Sequence, residues 1–398
     1  MKRSLLVLSL LLAAPTLIAQ TTAPKTGGKF ALTVDNIMRG PDLVGYAPDA
    51  LRWSADSQKL YFDWRNPGEH EASTYWVARD GGTPTKLTDE QKKTVPPANG
   101  RWDKARKRVL FAERGDIVIL DGSGTRRWIT RTTAGEGSPR WARNDTAVTY
   151  VRDGNLFIVP VDGTAQALVQ QLTDVGPRRA EPRLTDSQRF IREEQEKLLD
   201  VIKEQKEQKK KAEERAKQDK LPALELQDRQ TAADLMLSPD DTHVFVLVAE
   251  RPVGARNIIV PNYVTETGYA EDIPGRTAVG DAQSRTLLAV MNLKTGKTVW
   301  ADGSFAPPID EPVPSERQRV EGPLPTTTAP NTPGRKAERE IRWSMPDISD
   351  DGKLAVASAR SSDNKDRWYV TVDAATGKTR VVDTLHDDAW IREAAGGC

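Results

Sequence analysis

A short phrase of polar turn residues followed by alternating apolar positions recurs along the chain. In its first copy, residues 53–62, Asp56 and Ser57 lie in the turn, and Leu60 and Phe62 lie on one side of the strand that follows. Asp, Asn, Ser and Gly tolerate the backbone of a tight turn, and alternation of apolar and polar positions buries one face of a strand. Four further copies follow, at residues 103–111, 142–150, 238–246 and 349–356.

Each copy has a second half, which contains an apolar run, a glycine turn and a closing strand. In the third copy these are residues 156–159, Gly163 and Leu172. Copies lie roughly 40 to 50 residues apart where no insertion intervenes, which is typical of a repeat fold. One small antiparallel sheet per copy predicts an all-β protein, a β-propeller of about five blades. An all-β sandwich with coincidental turns is the alternative.

Three segments interrupt the repeats. Residues 184–220 begin with helix-capping residues and continue as a helix of mixed charge, which predicts a charged helical arm inserted between the third and fourth blades. Residues 256–281 are polar and Gly-rich, and residues 306–335 hold eight prolines, typical of a flexible loop. After the fifth blade, residues 387–391 resemble the start of a sixth, so the propeller is expected to be incomplete.

The N-terminus predicts a secreted protein. Lys2 and Arg3 precede an apolar run, and Ala19 is the small residue before the expected cut, so residues 1–19 read as a signal peptide. A polar leader (20–40) and the propeller (41–398) follow. The apolar run is shorter than the roughly 20 residues of a membrane span. Gln20 stands where a lipoprotein needs Cys, so we expect no membrane anchor and a periplasmic or secreted location.

Composition and motifs exclude several functions. The net charge of +1 gives no reason to expect a nucleic-acid partner, and the only cysteine, Cys398, rules out an intrachain disulfide. The sequence lacks a G-x-S-x-G elbow, an H-E-x-x-H motif, a C-x-x-C pair and a P-loop. His70, His243 and His386 are scattered in or beside repeat turns. The residues therefore predict no catalytic triad, no metal and no cofactor.

Several stretches together resemble a known family. These are the signal peptide, the repeat phrases, residues 150–156, the helical segment before residues 237–240, and residues 263–269. They resemble the N-terminal region of bacterial serine peptidases of the prolyl oligopeptidase superfamily, in the dipeptidyl peptidase IV branch, from about residue 40 to the end. The resemblance implies peptide substrates, a propeller that gates them, and an α/β-hydrolase domain carrying Ser, Asp and His. That domain and the family's usual seven or eight blades are not found, so we expect a fragment of a secreted serine exopeptidase.

The resemblance also implies one site. In this family two glutamates on a helix projecting from the propeller bind the free α-amino group of the substrate, and Glu193 and Glu194 stand at the matching place. Two carboxylates hold an ammonium by charge-assisted hydrogen bonds. The alternative interpretation is that both glutamates are ordinary solvated charges on the surface of a helix. The alternative function is a non-catalytic TolB-like or WD40-like propeller that binds a protein partner, and the resemblance leaves open a homodimer.

Overall fold

The computed structural model describes residues 33–66, 69–163, 168–178, 185–198, 207–211, 221–254, 256–277, 281–310, 336–337 and 339–391. The predicted signal peptide lies outside the described residues, as do residues 20–32 of the leader and residues 311–335 of the Pro-rich loop. Residues 33–40 of the leader include a short helix, α1 (Val34–Met38).

Five antiparallel sheets follow one another along the chain, which confirms the predicted all-β propeller. Before and within blade one come α2 (Pro41–Val44), β1 (Asp49–Trp53), β2 (Lys59–Trp64), β3 (Ser73–Ala78) and β4 (Thr85–Lys86). A helix, α3 (Asp89–Lys92), leads to blade two, with β5 (Arg101–Trp102), β6 (Arg108–Glu113), β7 (Asp116–Asp121) and β8 (Arg126–Trp128). Blade three comprises β9 (Glu136–Ala142), β10 (Ala147–Arg152), β11 (Asn155–Pro160) and β12 (Gln170–Gln171).

The second half of the chain is interrupted by insertions. Between blades three and four lie β13 (Asp174–Pro177), α4 (Asp186–Leu198) and β14 (Ala223–Leu226). Blade four comprises β15 (Gln230–Leu237), β16 (His243–Glu250), then an inserted hairpin of β17 (Asn257–Asn262) and β18 (Glu271–Thr277), then β19 (Arg285–Asn292) and β20 (Thr298–Trp300). After a pair formed by β21 (Ile309–Asp310) and β22 (Lys336–Ala337), blade five comprises β23 (Ile341–Trp343), β24 (Asp347–Ile348), β25 (Ala355–Ser361), β26 (Asp366–Val372) and β27 (Thr379–His386).

The recurring sequence phrase is the turn that joins the first two strands of a blade. Ser54 donates its hydroxyl to Asp56 Oδ1 (2.5 Å) and accepts from the Lys59 amide (2.9 Å). Ser238 and Asp240 repeat this bond in blade four (2.5 Å), and Ser349 and Asp351 repeat it in blade five (2.7 Å). Because the serine and aspartate satisfy the turn's own backbone, the turn ends one strand and starts the next.

The hydrophobic core lies between neighbouring blades, and the two faces of β16 illustrate this arrangement. Val244, Val246 and Val248 pack with residues of blade three, whereas Phe245 packs with residues of blade five. Successive side chains of a strand point to opposite faces, and both faces of β16 are covered. A third cluster joins blades two and three through residues such as Leu110 and Tyr150.

Antiparallel strand order gives the propeller two faces. The turns at residues 54–58, 103–107, 143–146, 238–242 and 349–354 lie on one face, which we call the turn face. The connections between second and third strands, and those between blades, lie on the other, which we call the insertion face. The arm between blades three and four and the β17–β18 hairpin both leave from the insertion face.

The chain after blade five forms no strand among residues 387–391. Asp387 donates its amide to the Lys365 carbonyl (2.9 Å), and Ile391 donates to that of Asn364 (2.7 Å). This segment therefore lies on the turn between β25 and β26. The start of a sixth blade stays a prediction.

Candidate functional site

The arm is fixed to the insertion face at its root. Its outgoing and returning strands, β13 and β14, pair in parallel, with Val175 opposite Leu224. Both residues are buried in the cluster between blades three and four. Asn155, in blade three, accepts from the Val175 amide (2.7 Å) and donates to the Val175 carbonyl (3.2 Å). An amide side chain that satisfies both backbone groups of one residue holds the arm's base in place.

The helix α4 begins as the capping residues predict. Thr185 Oγ1 accepts from the Gln188 amide (3.3 Å), and Gln188 Oε1 accepts from the Thr185 amide (3.0 Å), which is a capping box. Residues 207–211 are also helical. Residue 184 and residues 199–206 and 212–220 of the predicted arm lie outside the described residues.

The two glutamates of the predicted site lie in the middle of α4. Because the two residues are consecutive, their side chains project from the helix roughly 100° apart. Glu193 is exposed and Glu194 is half-buried. Phe190 and Ile191 are 64% and 55% exposed, and they precede Glu194 by four and three positions, so they share its side of the helix. The structure thus places a carboxylate beside exposed apolar surface, which can contact an ammonium and the side chain next to it.

A charged network that the sequence did not predict lies near the arm's root. Glu250 accepts from Gln230 Nε2 (2.8 Å) and from Arg285 Nη2 (3.0 Å). The hydrogen bond from Gln230, with Arg285 beside it, holds the pKa of Glu250 below its usual value. The network borders a cavity of about 400 Å³ that is also lined by Trp300 and Trp343. The residues of this network, Gln230, Glu250 and Arg285, come from three different strands, so no local sequence motif predicts the network.

The arm and the hairpin meet at their roots. Arg229 follows β14, and Arg251 follows β16 where the chain turns toward the hairpin. The Arg229 guanidinium donates to the Arg251 carbonyl (2.9 Å), and the Arg251 amide donates to the Arg229 carbonyl (3.0 Å). The two insertions therefore leave the insertion face side by side, next to the Glu250 network.

Two of the three histidines, His243 and His386, bind neighbouring turn and strand residues. His243 contacts Thr242 Oγ1 (2.7 Å) and Asn292 (3.1 Å), and His386 contacts Asp366 Oδ1 (2.7 Å); His70 is exposed. Among the described residues no group of three or more His, Cys, Asp or Glu side chains could hold a metal. In the same part of the chain, no helix has the length and apolarity to cross a membrane.

Comparison with known proteins gives structural similarity only. No family model matches the chain, and no curated protein matches it. The chain is similar in structure to Porphyromonas gingivalis dipeptidyl peptidase 4, with a TM-score of 0.43 and 12% identity, over 92% of this chain and 43% of that one. It is also similar to a putative dipeptidyl aminopeptidase IV from Bacteroides ovatus, with a TM-score of 0.37 and 10% identity, over 87% and 38%.

A third similar structure is a putative TolB from Agrobacterium tumefaciens, with a TM-score of 0.28 and 12% identity, over 62% of each chain. This chain spans less than half the length of the two peptidases. Similarity at this level does not extend to individual side chains.

Proposed function

We propose that this chain is the propeller part of a secreted serine exopeptidase of the dipeptidyl peptidase type. In this role the propeller restricts access to short peptides and holds their N-termini, and an α/β-hydrolase domain supplies the nucleophile. The observation that carries the proposal is the helix α4, which is rooted between blades three and four and bears Glu193 and Glu194. The sequence resemblance implies a glutamate pair at this place.

The binding step follows from the chemistry of α4. A peptide's α-ammonium has three donors, and carboxylates accept such bonds strongly because both partners are charged. Glu194 lies beside exposed Phe190 and Ile191, so an apolar first side chain has a surface to pack on. A blocked N-terminus has neither the charge nor the spare donors, so this site selects free N-termini.

The test compares free and blocked peptides. Binding of Ala-Pro-Ala amide and its N-acetyl form is measured by calorimetry on the wild-type chain, Glu193→Gln, Glu194→Gln and a control, Glu207→Gln, also in a helical segment. Because Glu194 is only half-buried, loss of this partner costs about 1 kcal/mol, so Glu194→Gln should weaken binding of the free peptide roughly fivefold. Binding of the acetylated peptide, and binding by Glu207→Gln, should not change.

In a gene product that also carries the hydrolase domain, Glu194→Gln should lower the ratio of kcat/KM for free over N-acylated substrates. If Glu193→Gln and Glu194→Gln both leave the free-to-blocked ratio unchanged, these residues are ordinary helix surface and the dipeptidyl assignment loses its site.

A second function is favoured by the β17–β18 hairpin. Its residues Ile258, Ile259 and Val260 are each more than half exposed, and Tyr263 at its tip is 76% exposed. Apolar surface of this kind marks protein contacts, so a non-catalytic propeller that binds a protein partner, a second copy of the chain included, is the alternative. Light scattering of the wild type and of Ile259→Lys tests for a homodimer.

A further inference from the structure

A second cavity lies on the turn face, where the first strands of four blades converge. It has a volume of about 400 Å³ and is lined by Trp102 of β5, Trp141 of β9, Met236 of β15 and Ile348 of β24. The first strands of propeller blades surround the central axis, so this cavity is at the mouth of the central channel. The arm and the hairpin leave from the opposite face, so nothing in the proposed function uses it.

Two of the cations lining the cavity are already paired. Arg140 Nη2 lies 2.6 Å from Asp234 Oδ2, and Arg143 Nε lies 2.7 Å from Asp241 Oδ2. Lys104 differs, because its ammonium donates only to the neutral amide oxygen of Asn144 (3.3 Å). The Lys104 amide donates to Asp145 Oδ2 (2.7 Å), but its ammonium forms no ion pair among the described residues.

Besides Asp145, two carboxylates from blade five line the cavity. Asp347 and Asp350 are both exposed, and neither side-chain carboxylate accepts a hydrogen bond or forms an ion pair within the described part of the chain. Asp347 is in β24 and Asp350 in the turn that follows, whereas Lys104 is in the turn after β5 of blade two. The cavity thus carries uncompensated charges of opposite sign on different blades.

Part of the lining is apolar and firmly held. Trp141 Nε1 donates to the Arg101 carbonyl (2.8 Å), and the Arg108 guanidinium stacks 4.6 Å from the centre of the Trp141 ring. Pro239 and Pro346 add two side chains with little conformational freedom. A preformed wall of this kind reduces the entropy cost of binding.

We propose that this channel mouth binds short peptides whose two termini are both free. Asp347 and Asp350 bind the ammonium, Lys104 binds the carboxylate, and the side chains pack between Trp102 and Pro239. A lone anion or cation would satisfy only one set of charges, whereas a ligand with opposite charges on an apolar body satisfies both. The volume is at the small end of the range of ligand sites, which fits a peptide of few residues. The inference is independent of the proposed function.

The experiment measures tryptophan fluorescence and calorimetric binding with three probes: Ala-Leu, N-acetyl-Ala-Leu and Ala-Leu amide. The wild-type chain should bind Ala-Leu roughly tenfold more tightly than either singly charged probe, since one lost charge-assisted contact costs about 1.4 kcal/mol. Lys104→Gln should abolish the preference over the amide and keep the preference over the acetylated probe. The double variant Asp347→Asn, Asp350→Asn should abolish the preference over the acetylated probe and keep the preference over the amide.

Controls separate this site from others. Lys365→Gln removes an exposed cation on the insertion face and should leave all three affinities unchanged. Equal affinities for the three probes, absence of binding at millimolar peptide, or a Lys104→Gln variant that keeps its preference over the amide would each overturn the inference. Circular dichroism of each variant shows that the fold is retained.

Discussion

At the scale of single residues, His386 is a titratable side chain held between two carboxylates. Its Nδ1 lies 2.7 Å from the buried carboxylate of Asp366, and its Nε2 lies 3.1 Å from Asp388. Asp366 also forms an ion pair with Arg339. His386 therefore joins the end of β27 to the start of β26 and to the segment that follows blade five.

These contacts make stability depend on pH. The hydrogen bond to Asp366, and then that to Asp388, raise the pKa of His386 above its usual value. A raised folded-state pKa gives stability that is fully present below the unfolded pKa, about 6.5, and is lost as pH rises through the folded pKa. The positive charge of Arg339 disfavours protonation of His386. The negative charge of Asp363, which pairs with Arg339, favours it. We expect the free energy of unfolding of the wild type to exceed that of His386→Gln at pH 5.5, and the difference to shrink by pH 9.

Urea unfolding across this pH range checks the prediction. His70→Gln, which alters an exposed histidine, is the matched control and should follow the wild type at every pH. A difference between wild type and His386→Gln that stays constant with pH would contradict the assignment of this ion pair.

At the scale of elements, the turn between the first two strands of a blade was predictable because its chemistry is local. Ser238, Asp240 and Thr242 bond one another within five residues, and such spacing is visible in a sequence. The interface between turns was not predictable. Gly352 in blade five approaches Asp240 in blade four, and nothing in either phrase specifies which residues of the next blade it meets.

This contact predicts an unequal effect of two glycine substitutions. Gly352 has φ +73°, and a Cβ added there would lie 2.7 Å from Asp240 Cγ. Asp240 cannot easily move, because Ser238 and Thr242 hold its two oxygens (2.5 and 2.6 Å). Gly296 has φ +69° with no atom within 4 Å of an added Cβ. Both alanine variants carry the left-handed backbone cost of about 1 kcal/mol, and Gly352→Ala adds about 1 to 3 kcal/mol from overpacking.

Chemical denaturation of Gly352→Ala and Gly296→Ala measures the two costs side by side. Equal losses would mean that backbone conformation alone accounts for the effect and that blades four and five do not touch at this point.

At the scale of the whole molecule, the sequence predicted a propeller of about five blades and a helical arm after the third. Both depend on the order of repeats and on an abrupt change of periodicity at residue 184. It could not predict the channel-mouth cavity, because Lys104 belongs to blade two and Asp347 to blade five, with two blades between them in the sequence. Only the arrangement of the blades around an axis brings them to one cavity. The Glu250 network has the same origin, in strands distant in sequence.

The clusters between blades are unequal, which predicts unequal local stability. Buried clusters join blades two and three, three and four, and four and five. Among the described residues no side chain of blade one belongs to these clusters; Phe62 and Tyr75 instead stack on each other, with ring centroids 6.2 Å apart. Blade one contacts blade two through bonds such as that from Arg106 Nη1 to Ser57 Oγ (3.0 Å).

Hydrogen exchange read by mass spectrometry should therefore rank the blades. The free energy of local opening rises with the buried apolar surface that the opening exposes to water, so amides of β2 and β3 should exchange faster than those of β16 and β19. Blade three, which is packed on both sides, is the internal control, and its β10 and β11 should match blade four. Equal protection in blades one and four would show that blade one is held by interactions other than these clusters. Phe245→Ala, which empties a fully buried position between blades four and five, should then speed exchange in blades four and five and leave β2 and β3 unchanged.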